Sequence, residues 1–260
     1  MERDNGTFEG AVKQAITKVS GRHREIVEDA VAVEKRLRVS VNGKEALTMY
    51  CTPLMIRELI VGFFMTEGII RGRWCTEDIS ISSRNGEIAA DITAEGEADL
   101  SGGAVTSGCA GGLSFAERKK AAPVDDPFRI DATRLRELYM RFQAVSGLHK
   151  LTGCVHSAAM ADASDIICFA EDIGRHNAVD KVIGYCLLEG MDFRGRMLLT
   201  SGRVSSEVAS KCARWGIPLI ASRAAPTDMA IDIAGGNKIT VVGFLRGGRF
   251  NIYTGPERVL

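Results

Sequence analysis

One cysteine lies in a segment that is too rich in glycine to belong to a packed core. Cys109 stands in TSGCAGG at 106–112, and Arg118, Lys119 and Lys120 follow shortly after it. A thiol used for sulfur chemistry must be accessible and must ionise, and nearby cations favour its thiolate form. Glycine on both sides would let such a thiol reach more than one partner. Cys109 is therefore either a reactive thiol or an incidental loop cysteine, and the residues alone leave both interpretations open.

Arginine recurs after three short apolar runs in the segment 197–249. The runs are MLLT, IPLIA and KITVVGFL, and the arginines that follow them are Arg203, Arg223, Arg246 and Arg249. Helix-period segments separate the runs, so we expect a mostly parallel sheet whose strands end at one shared edge. Neighbouring glycine and serine let backbone N–H groups approach a ligand, and guanidinium groups bind phosphates. The pattern predicts a site for a nucleotide-like or other phosphorylated ligand, and the alternative is a set of solvated arginines.

The histidines and the remaining cysteines give no metal-binding pattern. A zinc site of His and Cys needs closely spaced ligands such as a Cys-x-x-Cys pair, and this chain has no Cys-x-x-Cys. We therefore expect no bound metal. His156 and Cys154 are close in sequence, but two ligands alone do not make a four-ligand zinc site. His176, at a helix start beside Arg175, is either an anion-contacting or acid–base residue or a hydrogen-bonded structural histidine. The six cysteines other than Cys109 are expected to pack in the core.

The composition is that of an ordinary globular protein without an overall charge. The 260 residues are 45% apolar and 25% charged, and the formal net charge is zero. Zero net charge gives no electrostatic basis for binding nucleic acid or an anionic membrane. No apolar run is long enough to span a bilayer, and the first 25 residues lack the apolar core of a signal peptide. Seven cysteines without paired spacing indicate a reducing compartment, so we expect a cytoplasmic location.

Periodicity predicts an α/β protein in two parts after a disordered tail at 1–24. Residues 25–125 are expected to form a smaller α+β domain rich in β-hairpins and ending in the glycine-rich Cys109 loop. Residues 126–260 are expected to form the larger α/β domain, to which the arginine turns belong. The hairpin turns are predicted at Asn42-Gly43 and Asn85-Gly86, because Asn-Gly favours two-residue turns.

Helix signals complete the expected order of elements. Pro53 should open a helix that ends at Gly68, since glycine often follows the last helical residue. An amphipathic helix is expected at 131–148, with Val145 on its buried face. Asn177 is expected to cap the helix that follows EDIGRH.

Six stretches of the chain together resemble one known family. They are RELIVGFFMTEGII at 57–70, TSGC at 106–109, EDIGRHNAVDKVIG at 171–184, LLTSGRVSSEV at 198–208, GIPLIASRAAPTDMAI at 216–231 and GFLRGGRFNIYTGPER at 243–258. In content and order they are similar to the FdhD family, the formate dehydrogenase accessory sulfurtransferases. The similarity extends over nearly the whole chain after the predicted tail.

The resemblance implies a layered fold similar to the cytidine deaminases, without their zinc ligands, and a role in sulfur transfer. Such a protein takes sulfur as a persulfide from a cysteine desulfurase. It passes the sulfur to the molybdenum or tungsten bis-pyranopterin guanine dinucleotide cofactor before this enters the catalytic subunit of formate dehydrogenase. The resemblance places the sulfur on Cys109 and admits a homodimer. It also implies a cofactor-binding segment made of Phe244, Leu245, Arg246, Gly247, Gly248 and Arg249.

One position departs from the family pattern. Many members carry Cys-x-x-Cys in the loop, whereas Gly112 stands at the second position here. We therefore expect a single persulfide on Cys109, since a relay between two loop cysteines cannot operate. Two other classes of protein remain to be separated from a sulfurtransferase. One is a non-catalytic chaperone that only shields the cofactor, and the other is a zinc hydrolase of the deaminase type.

Overall fold

The computed structural model describes residues 10–70, 76–84, 86–99, 104–105, 113–114 and 122–260. Within these ranges the strands are β1 (Ala11–Ser20), β2 (His23–Ala32), β3 (Lys35–Val41), β4 (Lys44–Cys51), β5 (Ile79–Arg84), β6 (Glu87–Ile92), β7 (Ala104–Val105), β8 (Leu113–Ser114), β9 (His156–Ala161), β10 (Ile166–Asp172), β11 (Met197–Thr200), β12 (Leu219–Ser222), β13 (Thr240–Arg246) and β14 (Arg249–Thr254). The helices are α1 (Ile56–Glu67), α2 (Ala132–Val145), α3 (Gly147–Thr152), α4 (Arg175–Leu188), α5 (Ser206–Trp215) and α6 (Asp228–Gly236). The predicted α/β class is confirmed.

The larger sheet contains all three arginine-bearing strands. Its order is β10-β9-β11-β12-β13-β14, and within this sheet, as far as the structure describes it, only β11, β12 and β13 are parallel to one another. The expectation of a mostly parallel sheet is therefore wrong. The short connections from β9 to β10 and from β13 to β14 explain the difference, because a parallel neighbour needs a long crossover and a hairpin does not.

Helices cover both faces of this sheet. On one face α2 contributes Leu135, Leu138, Tyr139 and Phe142 to a buried cluster with the strands. On the other face α4, α5 and α6 pack on the same strands. The apolar runs of β11 and β12 are buried throughout, which is typical of strands covered on both sides.

A smaller sheet of order β4-β3-β6-β5 forms the N-terminal part with α1. Its first hairpin turns at Asn42 and Gly43, which both have positive φ (52° and 73°), as the predicted two-residue turn requires. The helix predicted from Pro53 begins three residues later, at Ile56. It ends at Gly68, whose φ of 62° closes the helix in the predicted way.

Two glycines allow α1 and α4 to cross in backbone contact. A Cβ atom on Gly62 would lie 1.8 Å from the carbonyl oxygen of Asp180, and one on Gly184 would lie 1.9 Å from that of Glu58. Since α1 belongs to the core of the small sheet and α4 to that of the large one, this crossing joins the two parts.

The predicted disordered tail is wrong from residue 10 onward. Strands β1 and β2 pair in register from Ala11 and Ala32 to Ser20 and His23. Most of the hairpin is exposed, with Ile26 at 81%, and its base is fixed where Val33 N donates to Gly10 O (2.8 Å). Backbone pairing rather than burial holds these charged residues in order. Residues 1–9 lie outside the described ranges, and the two domain boundaries remain predictions.

Two helix boundaries also differ from expectation. The helix predicted at 131–148 stops before Ser146, and a separate short helix, α3, follows. Val145 is consequently exposed instead of buried. Helix α4 begins at Arg175 with Gly174 before it, so Asn177 lies inside the helix and does not cap it. No helix in the described part of the chain is long and apolar enough to cross a membrane.

Candidate functional site

The candidate site lies where β11 and β12 end. Thr200 of β11 pairs with Ser222 of β12, so the two parallel strands finish level with each other. Strand β9 begins at the same edge, because Ser201 N donates to Ser157 O and Ser157 N donates to Ser201 Oγ (both 2.9 Å). The edge therefore gathers the turns after β11 and β12 and the residues that open β9.

Hydrogen bonds join the three arginine-bearing turns. Ser222 Oγ donates to Gly202 O (2.6 Å), and Ala224 N donates to Ser222 Oγ (3.0 Å). Phe244 N then donates to Ala224 O (3.2 Å). The turns predicted to meet at one edge are thus in direct contact, and we call this set of turns, 201–205, 222–226 and 244–249, the arginine edge.

Phe244 is held in an unusual backbone conformation. Its φ is +54°, and the register between β13 and β14 shifts between Gly243 and Arg246. Positive φ is unfavourable for a bulky side chain, and such outliers persist where the surrounding structure holds them, frequently at functional sites. The guanidinium of Arg246 lies 5.6 Å from the centre of the Phe244 ring, whereas Leu245 is buried in the core.

The last two arginines flank a tight turn. Arg246 pairs with Arg249 across Gly247 and Gly248, which have φ of 58° and 79°. Arg136 of α2 donates from Nη1 to Gly248 O (2.9 Å) and so supports the turn. Strand β13 runs further than β12, so this turn stands beyond the ends of β11 and β12.

All four predicted arginines are exposed. None of Arg203, Arg223, Arg246 and Arg249 forms a salt bridge with another residue in the described ranges. Guanidinium groups without carboxylate partners remain able to bind an anion. Whether they bind one stays a prediction, as does the role assigned to Phe244, Leu245, Gly247 and Gly248.

Tyr139 of α2 supports the arginine edge through its hydroxyl group. No pattern in the sequence predicts this role. Its hydroxyl donates to Thr200 O (2.7 Å) and accepts from Arg223 N (2.8 Å). The side chain is buried, and burial raises the pKa of the phenol above its usual range. Tyr139 therefore links the end of β11 to the start of the Arg223 turn.

Tyr139→Phe is expected to destabilise the protein by about 1–3 kcal/mol, because it removes the hydrogen bonds of the phenol to the buried Thr200 C=O and to the part-buried Arg223 N–H. Urea unfolding followed by circular dichroism would measure the change. Tyr50→Phe is the matched control, since Tyr50 is half exposed and its variant should unfold like the wild type. Equal unfolding midpoints for the two variants would contradict the supporting role of Tyr139.

His176 contacts two residues at the start of α5: Ser205, which precedes the helix, and Glu207 in its first turn. Its Nε2 lies 2.7 Å from Glu207 Oε2 and 3.0 Å from Ser205 Oγ. Burial acts to raise the pKa of the Glu207 carboxyl, but the His176 hydrogen bond and charge outweigh it and hold that pKa below its usual value. This geometry favours a structural histidine that ties α4 to α5.

A buried lysine, also missed by the sequence patterns, fixes the end of β10. Lys181 Nζ lies 2.6 Å from Asp172 Oδ2 and donates to Glu171 O and Thr52 O (3.1 and 3.2 Å). Asp172 accepts in turn from Gly174 N at the start of α4 (2.8 Å). These partners are distant in sequence, so only the fold reveals them.

A cleft of about 330 Å³ adjoins Arg223. His149, Cys154, His156, Ser157 and Ser201 contribute to its wall. The prediction that Cys154 packs in the core is wrong, because the chain leaves α3 at Gly153 and exposes Cys154 before β9 begins.

The other cysteines behave as expected where they are described. Cys51, Cys168, Cys186 and Cys212 are buried, which confirms their core assignment. Burial raises the pKa of Cys51 to about 12. Among the described residues, no three His, Cys, Asp or Glu side chains are grouped to hold a metal ion.

Cys109 and Gly112 lie outside the described residues, as does Cys75. The residues on either side of 106–112 are described, and they pair as an antiparallel bridge of two residues each. Ala104 pairs with Ser114, and Val105 pairs with Leu113. The described residues that flank the predicted sulfur-carrying segment are therefore adjacent.

The fold and the arginine edge define a mixed-sheet α/β protein with a cationic rim at the ends of its central strands. The family model described as FdhD/NarQ matches residues 32–260. The chain belongs to the FdhD/NarQ family.

Individual relatives match along almost the full chain. It is 38% identical to the sulfur carrier protein FdhD of Bacillus subtilis (strain 168) over 239 residues, 90% of this chain and 91% of that protein. It is 36% identical to the sulfur carrier protein FdhD of Listeria innocua over 241 residues, 90% of this chain and 92% of that protein. It is also similar to the crystal structure of a proposed formate dehydrogenase accessory protein from Desulfotalea psychrophila. That match has a TM-score of 0.79 and 25% identity, and it covers 96% of this chain and all of the other.

Proposed function

We propose that this protein is a cytoplasmic sulfurtransferase that carries sulfur as a persulfide on Cys109. The donor is a cysteine desulfurase, and the acceptor is the molybdenum or tungsten bis-pyranopterin guanine dinucleotide cofactor destined for formate dehydrogenase. The observation that carries the proposal is 38% identity, over 90% of the chain, to a protein named as a sulfur carrier. The formate dehydrogenase link rests on the name of the structural relative.

The loading step requires only a reactive thiol. The Cys109 thiolate attacks the outer sulfur of the donor persulfide, a new S–S bond forms, and the donor's S–S bond breaks as its inner sulfur leaves as a thiolate. The outer sulfur ends on Cys109 as a persulfide, and no net oxidation or reduction occurs. In delivery the acceptor supplies the electron pair for its new bond to the sulfane sulfur, the S–S bond of the Cys109 persulfide breaks, and the Cys109 sulfur leaves as a thiolate.

The arginine edge is the part of the protein best suited to hold the acceptor. Its four guanidinium groups are exposed, and the turns that carry them are joined by hydrogen bonds. Guanidinium groups bind phosphate oxygens through paired N–H donors, and the guanine dinucleotide portions of the acceptor carry phosphates. The surrounding structure keeps the backbone of Phe244 at a positive φ, which gives the arginine edge a fixed shape at this position.

Transfer to Cys109 can be tested directly. The wild type and Cys109→Ala are incubated with a cysteine desulfurase and cysteine, alkylated, digested and analysed by mass spectrometry. We expect one additional sulfur on the peptide containing Cys109, and loss of formate dehydrogenase maturation in cells that carry only the variant. A Cys109→Ala variant that still supports full formate dehydrogenase activity would identify a non-catalytic chaperone instead.

The acceptor side gives a separate prediction. The double variant Arg246→Ala, Arg249→Ala should bind guanosine diphosphate at least about tenfold more weakly than the wild type, since one lost charged hydrogen bond is worth about 1.5–3 kcal/mol. Isothermal titration calorimetry would give both dissociation constants. Arg24→Ala, an exposed arginine on the β1–β2 hairpin, is the charge control and should bind as the wild type does. Unchanged binding by the double variant would remove the Arg246–Arg249 turn from the site.

A further inference from the structure

The cleft beside Arg223 presents an exposed thiol. Cys154 is exposed, while the other cysteines in the described ranges are buried. Val155 is buried in a small apolar cluster with Leu148 and Ala11, and it lines the cleft together with its neighbours Cys154 and His156. The buried Val155 side chain therefore fixes the backbone next to Cys154 at the cleft.

A histidine in the same cleft is set up to accept a proton. His149 Nδ1 lies 2.9 Å from Val155 O, and a carbonyl oxygen can only accept, so Nδ1 carries the hydrogen. In the neutral ring Nε2 is then unprotonated and available as a base. His149 and Cys154 both line the cleft, so the thiol and a base share one cavity.

Arginine charge also acts on this cleft, although the Glu171 carboxylate accepts from Ser146 Oγ in its wall (2.7 Å). Arg223 contributes to its wall. Burial and then the positive charge of Arg175 lower the pKa of His156, which shows that the charge of Arg175 acts on the wall of the cleft. Thiolates are stabilised by neighbouring guanidinium groups, and the thiolate is the nucleophile in exchange with persulfides.

We propose that Cys154 is a second sulfur-accepting thiol, which holds sulfane sulfur in the cleft next to Arg223 of the arginine edge. The proposal deepens the proposed function and rests on it. The Cys154 thiol gives its proton to His149, and its sulfur attacks the outer sulfur of a protein or low-molecular-weight persulfide. A Cys154 persulfide forms, the donor leaves as a thiolate, and that thiolate takes the proton back. Atoms and electrons balance without any oxidant.

This assignment explains how one chain can hold sulfur at two thiols although Gly112 replaces the second loop cysteine. The buried cysteines cannot take this part. Burial raises the pKa values of Cys51 and Cys212, and the hydrogen bond with Cys186, followed by burial, raises that of Cys168. The same hydrogen bond lowers the pKa of Cys186, but Cys186, like the others, is buried in the core and out of reach of a donor. Of the described thiols, Cys154 alone combines exposure, a neighbouring base and proximity to the predicted acceptor site.

The test uses four full-length proteins: the wild type, Cys109→Ala, Cys154→Ser and Val19→Cys. Each is incubated with cysteine persulfide, and separately with a cysteine desulfurase and cysteine, then alkylated and mapped by peptide mass spectrometry over time. Val19→Cys is the matched control, because it places an exposed thiol on the β1–β2 hairpin away from the cleft. Cys154→Ser changes an exposed side chain and should keep the wild-type melting temperature.

We expect the Cys154 peptide to gain one sulfur in Cys109→Ala, at least about tenfold faster than the control thiol of Val19→Cys, as a neighbouring base permits. Two results would overturn the proposal. One is sulfur on Cys109 in the wild type with none on Cys154 in any protein, which leaves the proposed function intact. The other is equal rates at Cys154 and at the control thiol. Absence of sulfur from both Cys109 and Cys154 would overturn the proposed function as well.

Discussion

Gly62→Ala is expected to lower the free energy of unfolding by at least about 3 kcal/mol, at the upper end of what overpacking costs. The added Cβ would lie 1.8 Å from the carbonyl oxygen of Asp180, and the obstacle is backbone on both sides. No rotamer change can relieve the contact, so α1 and α4 must move apart. Arg175 and His176 open α4 at the candidate site, and their positions would change with the helix.

The control for Gly62→Ala is a helical glycine with room for a methyl group. A Cβ on Gly235 of α6 would meet its nearest atom, Cγ2 of Thr254, at an ordinary 3.6 Å. Gly235→Ala should be neutral or stabilising by up to about 1 kcal/mol, because alanine has the higher helix propensity. Urea unfolding of both variants would measure the difference in stability. A midpoint for Gly62→Ala at or above that for Gly235→Ala would show that α1 and α4 leave room for a methyl group where they cross.

Local patterns were sufficient to predict the elements that carry the arginine edge. MLLT and IPLIA are apolar runs that end in glycine or serine turns, and the helix-period segments between them require parallel strands. Asn42-Gly43 and Gly68 were placed correctly because their left-handed backbone conformations favour those residues. Each of these signals lies within a few residues of the structure that it predicts.

The features that the sequence did not reveal depend on partners far along the chain or on the local path of the backbone. The β1–β2 hairpin is charged and mostly exposed, so its residues resemble a tail, but backbone pairing and the burial of Ala11 at its base order it. The residues around Cys154 predict a strand that includes it, but β9 starts two residues later. Tyr139 is an ordinary core residue in the helical pattern, and its contacts with Thr200 and Arg223 arise only in the folded protein.

A buried ion cluster between the two parts of the protein is the clearest example of side chains that are distant in sequence and meet only in the fold. Lys211 Nζ lies 2.5 Å from Asp180 Oδ1 and 3.1 Å from Glu67 Oε1, and all three side chains are buried. Burial raises the pKa of the Asp180 carboxyl, and Lys211 only partly offsets this. Burial acts to lower the pKa of Lys211, but Asp180 and Glu67 outweigh it and raise that pKa. One cation therefore stabilises two carboxylates.

Lys211→Met should lower the free energy of unfolding at pH 7.5 by about 3–5 kcal/mol, the usual cost of leaving a buried charge without its partner. Without the ammonium group, the pKa of Asp180 in the folded state rises further above its unfolded value. A carboxyl with a raised folded-state pKa is stabilising below its unfolded pKa and loses that contribution as the pH rises through the folded one. The deficit of the variant should therefore be smaller at pH 5 than at pH 7.5, which urea unfolding at the two pH values would measure.

Lys44→Met is the control that separates the loss of a buried ion pair from the loss of an exposed one. Lys44 forms an equally close ion pair with Glu97 (2.6 Å), but both side chains are more than three-quarters exposed. Water solvates the remaining Glu97 carboxylate, so the variant should unfold like the wild type at both pH values. If Lys211→Met were no less stable than Lys44→Met, or if its deficit grew as the pH fell, the carboxylates at the α1–α4 crossing would not depend on Lys211. The expected outcome is a pH-dependent deficit for Lys211→Met alone, because only there does the removed ammonium leave carboxylates that water cannot reach.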